Sequence, residues 1–248
     1  MTRTSLRGAL TGAAIAAAAF LGAARASAAP MVTVDIASVG GGYDPYTTTA
    51  EAVDQGNGTF VLSGVGYSAN FSCDWSITIN PDPQMTSNFT LKNLAPVTQT
   101  FIMTVTLPIG LFGPVTYQGG YYGNTATGTT YTDTSGDGNV TLATVPGNPF
   151  YRALVNAVAS QDLGNFSVSA PVSGSLPRDS WGVPIPSAPF GPASTNMQIR
   201  WQFSLTGGDT VSSQGFFQIE TTPAAPEPVG LALLGTGLAV LAGVRRRA

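Results

Sequence analysis

Period-two alternation is the feature that most narrows what this chain can fold into. Between residues 71 and 80, Phe71, Cys73, Trp75, Ile77 and Ile79 take every second position, and Ser72, Asp74, Ser76, Thr78 and Asn80 fill the gaps. A strand turns successive side chains to opposite faces, so this segment has one apolar face and one wet face. Ile199, Trp201, Phe203 and Leu205 alternate with Gln198, Arg200, Gln202 and Ser204 in the same way. Phe101, Met103, Val105 and Leu107 alternate with Thr100, Thr104 and Thr106. Val32, Val34 and Ile36, then Phe89 and Leu91, then Phe217 and Ile219 repeat the theme. Polar outer faces on this many strands favour antiparallel sheets with one face in water. No long amphipathic stretch exists to cover a parallel sheet; only Tyr151 to Ala159 hints at a helix, and a short one. The expected fold is all-β: an antiparallel β-sandwich, jelly-roll or immunoglobulin-like in architecture.

Turn residues divide the strands. Pro81, Pro83, Pro96 and Pro108 fall between alternating runs, as do Asn57-Gly58 and Gly207-Gly208-Asp209. Two stretches resist the pattern: Gly110 to Thr130 is rich in Gly and Tyr, and Ala170 to Asn196 is rich in Pro. They read as long loops, the places to look first for a ligand.

The ends of the 248-residue chain read differently from its middle. Arg3 and Arg7 precede an apolar run from Ala9 to Ala24, and Ala26-Ser27-Ala28 ahead of Ala29 offers the small residues that a signal peptidase cuts after. At the other end Pro226-Glu227-Pro228 precedes an uncharged run from Val229 to Val244, then Arg245-Arg246-Arg247. As a helix that run would span about 24 Å, short for a hydrocarbon core of about 30 Å but within reach of snorkelling arginines. Three arginines directly after it fix that end in the cytoplasm, which places the body outside. The expected parts are a signal peptide at 1–28, a β-sandwich domain at 29–222, and a sorting tail with a short transmembrane helix at 223–248.

Pro-Glu-Pro, an apolar helix and a basic terminus in this order resemble the PEP-CTERM sorting signal of Gram-negative bacteria. The resemblance covers about 25 residues. It implies processing near Pro226, Glu227 and Pro228 by an exosortase, a membrane-embedded cysteine transpeptidase, and a setting of exopolysaccharide production. The chain would first be held in the inner membrane and then reach the cell surface or extracellular matrix. The middle is also similar to uncharacterised secreted domains carried by other PEP-CTERM proteins. That likeness rests on Trp75-Ser-Ile-Thr-Ile-Asn80-Pro-Asp-Pro83, Asn88-Phe-Thr90, Thr98 to Pro108, Asp133 to Gly138, and Phe203-Ser-Leu-Thr-Gly-Gly-Asp209. It carries no known activity.

Charge and residue usage exclude several chemistries. Only 9% of residues are charged. Once the six arginines of the two ends and Glu227 of the tail are set aside, four basic side chains face twelve acidic ones, a net of −8. Such a body repels phosphate backbones and has no basic stripe, so nucleic acid is excluded as a partner. Histidine is absent, which removes Ser-His-Asp and Cys-His catalysis and any histidine-bound zinc or haem. Cys73, the single cysteine, falls on the apolar side of its strand and reads as a core thiol.

Three constellations remain. Asp133-Thr-Ser135-Gly-Asp137-Gly138 places oxygen ligands at alternate residues with glycine sixth, like the first half of a calcium loop. Asp133, Ser135 and Asp137 would be the ligands. Thr144 stands where a bidentate Glu belongs, and strands at 129–132 and 140–145 would make Asp137-Gly138 a plain hairpin turn instead. Second, Tyr43, Tyr46, Tyr117, Tyr121, Tyr122 and Trp181 lie in loop-like sequence and could stack on sugar rings, Tyr121, Tyr122 and Trp181 being the leading candidates. Third, paired carboxylates could hydrolyse glycosidic bonds, but Glu51 and Glu220 are the only glutamates of the domain and neither sits in a motif. The functional expectation is a non-enzymatic structural or adhesive protein with no catalytic residues and no required cofactor. A carbohydrate-binding module with structural calcium is the alternative, and a glycan hydrolase is the third reading.

Overall fold

The alternating segments become strands because each has one face to bury and one to wet. The computed structural model describes residues 29–40, 43–80, 84–109, 120–123, 125–181, 188–190, 193 and 195–221. Ala26, Ala28, Tyr117, Pro226, Glu227, Pro228, Arg245, Arg246 and Arg247 lie outside them. The first strands are β1 (Met31–Val39), β2 (Asp44–Glu51), β3 (Val53–Asp54), β4 (Phe60–Tyr67), β5 (Phe71–Asn80) and β6 (Gln84–Asn93). Next come β7 (Gln99–Pro108), β8 (Gly120–Gly123), β9 (Thr125–Thr132), β10 (Val140–Ala143), β11 (Tyr151–Val155) and β12 (Val158–Leu163). The last are β13 (Ser167–Ala170), β14 (Ser173–Trp181), β15 (Ala188–Phe190), β16 (Asn196–Leu205) and β17 (Thr210–Thr221). The described residues contain no α-helix.

These strands form two antiparallel sheets packed as a sandwich. The first runs β12-β11-β16-β7-β1-β2, with β10 joined to β16 and β13. The second runs β14-β9-β17-β6-β5-β4-β3, with β8 on β17 and β15 on β8. The expected all-β, two-sheet architecture is what the chain adopts. Its register fixes which residues face inward: Val34 opposes Val105, which opposes Ile199, and all three are buried. Across the sandwich, Phe89 of the second sheet packs edge-on to Trp201 at 5.2 Å and stacks with Phe203 at 6.0 Å. Such aromatic pairs add about 0.5–1.5 kcal/mol beyond area burial.

Two strand glycines make room for these rings. A Cβ on Gly215 would lie 2.5 Å from Cζ2 of Trp201 and 2.8 Å from Cε2 of Tyr151, both on the facing sheet. Gly64 lies directly opposite Trp75 in the register, and its Cβ would lie 2.5 Å from that indole. Glycine weakens a strand, but here it lets a large ring lie against the backbone.

Three sequence expectations are corrected. The segment from Tyr151 to Ala159 is not a helix; it is the β11–β12 hairpin. Its turn residues Asn156 and Ala157 have φ of 52° and 63°, the left-handed geometry of a two-residue hairpin loop. So short a helix is marginal in water, whereas alternation lets Tyr151, Ala153 and Val155 be buried opposite Trp201, Ile199 and Met197. Asp137-Gly138 is not a hairpin turn either. β9 belongs to the second sheet and β10 to the first, so residues 133–139 cross between sheets. The two supposed long loops contain β8 and β9, and β14 and β15.

Candidate functional site

The 133–139 crossover builds one end of the sandwich. One oxygen of Asp133 accepts the Gly136 N–H at 2.7 Å and the Ser135 hydroxyl at 2.9 Å; the other accepts the Gly138 N–H at 2.9 Å. Gly136 and Gly138, at φ of 77° and 82°, turn the backbone so that its amides converge on this carboxylate. Those donors, the Gly136 amide foremost, hold the Asp133 carboxyl below the usual aspartate range. Asp137 caps the Asn139 N–H at 2.9 Å. Asp209 is fully buried behind this loop and accepts the N–H groups of Thr134 and Ser135, each at 3.2 Å, and the Thr206 hydroxyl. Asn93 donates to the carbonyls of Val97, Leu205 and Thr206 and accepts the Ala95 N–H. The two motifs noted separately in the sequence, Asp133 to Gly138 and Phe203 to Asp209, thus meet in one polar cap, an exposed loop laid over the buried Asp209 and Asn93. Of the three candidate calcium ligands, Asp133 and Ser135 bond to each other while Asp137 turns to Asn139. Among the described residues, no group of three or more His, Cys, Asp or Glu is placed to hold a metal ion.

The candidate aromatics are distributed over strands. Tyr121 and Tyr122 lie in β8, opposite Glu220 and Ile219 of β17, and Trp181 ends β14 opposite Thr125, the first residue of β9. Since β8 and β9 follow one another along β17, the register brings these three backbone positions to one region of the second sheet. Tyr43, just before β2, is 73% exposed, whereas Tyr46 is half-buried and lies against Gly66 of the facing sheet.

A third place had no sequence expectation attached to it. On the outer face of the second sheet, β5, β6, β17 and β9 form an open groove of about 410 Å³. Its side chains come from two adjacent cross-strand rows. Asp74, Thr90, Ser212 and Thr130 make one, and Ser76, Asn88, Gln214 and Gly128 make the other. Within it Thr90 and Ser212 share a hydroxyl hydrogen bond of 2.8 Å. Among the described residues, the side chains of Asp74, Ser76, Asn88 and Gln214 have no hydrogen-bond partner. The wet half of the alternation shows these residues in the sequence, but their meeting depends on β17 lying beside β6, a pairing across more than a hundred residues. Asp74 is the one carboxylate of the groove.

Cys73 is buried on the inner side of β5, its Sγ 3.8 Å from the Asp74 carbonyl. Burial, and then the neighbouring Asp74 charge, push its thiol far above the ordinary cysteine range, so no thiolate forms at neutral pH. On the opposite outer face Arg152 and Asp162 form a two-point ion pair at 2.7 and 2.9 Å across the β11–β12 hairpin. No protein-family model matches this chain, and no curated protein matches it.

Proposed function

We propose that the chain is an exported, exosortase-processed surface or extracellular-matrix protein whose sandwich acts as a non-enzymatic structural or adhesive unit beside exopolysaccharide. The sandwich is read as jelly-roll or immunoglobulin-like. The observation that carries this reading is the tail: Pro226-Glu227-Pro228, an apolar segment and three terminal arginines, in that order. The absence of histidine from the sequence supports a non-enzymatic body. So does the outer groove, whose single carboxylate falls short of the two, roughly 5–10 Å apart, that glycoside hydrolysis uses.

The test is mass spectrometry of the chain recovered from a Gram-negative host with and without an exosortase. With the enzyme, the released chain should begin at Ala29, end near Pro226 and lack Arg245 to Arg247. Without it, or with Glu227→Ala, the tail should stay attached in the membrane fraction. A full-length chain left in the cytosol of the exosortase-positive host would sink the proposal.

A second reading has a specific observation behind it. The register gathers Tyr121, Tyr122 and Trp181 in one region of the second sheet, where a carbohydrate-binding module would want its rings, with calcium at Asp133, Ser135 and Asp137 as a structural ion. Loss of polysaccharide retention in Trp181→Ala and Tyr122→Ala would promote it. A melting temperature unmoved by EDTA would remove its calcium.

A further inference from the structure

We infer that the outer face of the second sheet is a binding platform for a neutral polysaccharide chain, laid across β4, β5, β6, β17 and β9. The inference does not depend on how the chain is sorted; only the source of the ligand, a matrix polysaccharide, follows from the proposed function. The two polar rows of the groove continue onto β4. Val65 lies opposite Asp74, and Ser63 opposite Ser76. Tyr67, opposite Ser72, sits one row further along the same outer face and is 73% exposed. With strands about 4.8 Å apart, five of them give a path of about 19 Å, the scale of an oligosaccharide of several residues.

The chemistry of this path selects its ligand. Ser76, Asn88 and Gln214 offer hydroxyl and amide groups that donate and accept, and none is engaged by another described residue. Asp74 adds an acceptor for sugar hydroxyls. Gly128 keeps the far end open, since nothing lies within 4 Å of where a Cβ would stand. Tyr67 supplies a rigid aromatic face at small entropic cost, the kind of surface on which a sugar ring packs. Lys92 lies in the row beside the groove, and the body's net charge of −8 disfavours an anionic polymer. The groove's polar groups are side chains on a sheet face, not the backbone N–H and C=O groups that an added peptide strand would join.

Affinity electrophoresis of the secreted chain tests this, with dextran, galactomannan and xyloglucan as neutral probes and alginate as the anionic one. At least one neutral polymer should retard the protein. Tyr67→Ala and Gln214→Ala should each weaken that retardation about tenfold with unchanged thermal midpoints, because both side chains point to solvent. Gln202→Ala, on the outer face of the first sheet, should behave as wild type. No retardation by any neutral polymer, retardation equal in alginate, or wild-type binding by both variants overturns the inference. If binding is lost in Tyr122→Ala and Trp181→Ala but kept in Tyr67→Ala and Gln214→Ala, the module of the second reading stands and this platform falls.

Discussion

The two outer faces of the sandwich are built from the same polar residue types and use them in opposite ways. On the first sheet the groups close on one another. The Thr33 and Thr49 hydroxyls pair at 2.9 Å, Thr47 donates to Asp35 at 2.8 Å, Gln198 donates to Thr106 at 3.0 Å, and Arg152 grips Asp162. On the second sheet Thr90 and Ser212 pair, but Asp74, Ser76, Asn88 and Gln214 line the groove with no partner among the described residues. Cross-strand pairs contribute a few tenths to about 1 kcal/mol each to a sheet. The first face therefore contributes to holding the fold. The second contributes little and keeps its donors and acceptors for something else.

The core lies beneath both faces, so the largest effect should not discriminate between them. Trp201→Ala removes the ring that meets Phe89 and Tyr151 and should cost about 3–5 kcal/mol in urea unfolding. Loss of one face's order with the other kept would show that the sheets do not share one cooperative core. Asp209→Ala comes next. It leaves the part-buried N–H groups of Thr134 and Ser135 without their charged acceptor and should cost about 1–3 kcal/mol. A neutral result would mean the polar cap is not a structural element.

Paired surface variants separate the two faces. Gln198→Ala loses a cross-strand hydrogen bond and should destabilise by about 0.5–1.5 kcal/mol. Gln214→Ala should stay within about 0.5 kcal/mol of wild type. Equal costs would erase the distinction between the faces. The smallest effect is acid-specific. Because the folded Asp133 carboxyl titrates below its unfolded value of about 3.9, its contribution is present above that pH and is lost as pH falls through the lower folded value. The stability difference between wild type and Asp133→Asn should be flat near neutrality and shrink below about pH 4. A difference that grows on acidification would contradict the hydrogen-bonding seen at this loop.

Much of the fold was legible where one residue type recurs on one side of a strand. Residues 71–80 and 196–205 alternate without interruption, and 99–108 does so but for Ile102; each is a strand with its inward apolar positions buried. The β11–β12 hairpin was hidden because Ala153, Leu154, Ala157 and Ala159 have helical propensity, and the left-handed turn sits on Asn156 and Ala157 with no glycine to mark it. The crossover at 133–139 was hidden because a turn signal gives no information about which sheet the next strand joins. Gly64 and Gly215 carry no local sign that an aromatic ring will cover them. The same long-range information was missing for the groove, since Asn88 and Gln214 become neighbours only when β6 meets β17.

The difference between the faces is tested most directly by following side-chain amide resonances in an isotope-labelled sample as a neutral oligosaccharide is added. The account predicts that the NH₂ signals of Asn88 and Gln214 shift and saturate together while those of Gln198 and Gln202 stay fixed. Shifts confined to Gln198 and Gln202, or none on either face at saturating sugar, would contradict it.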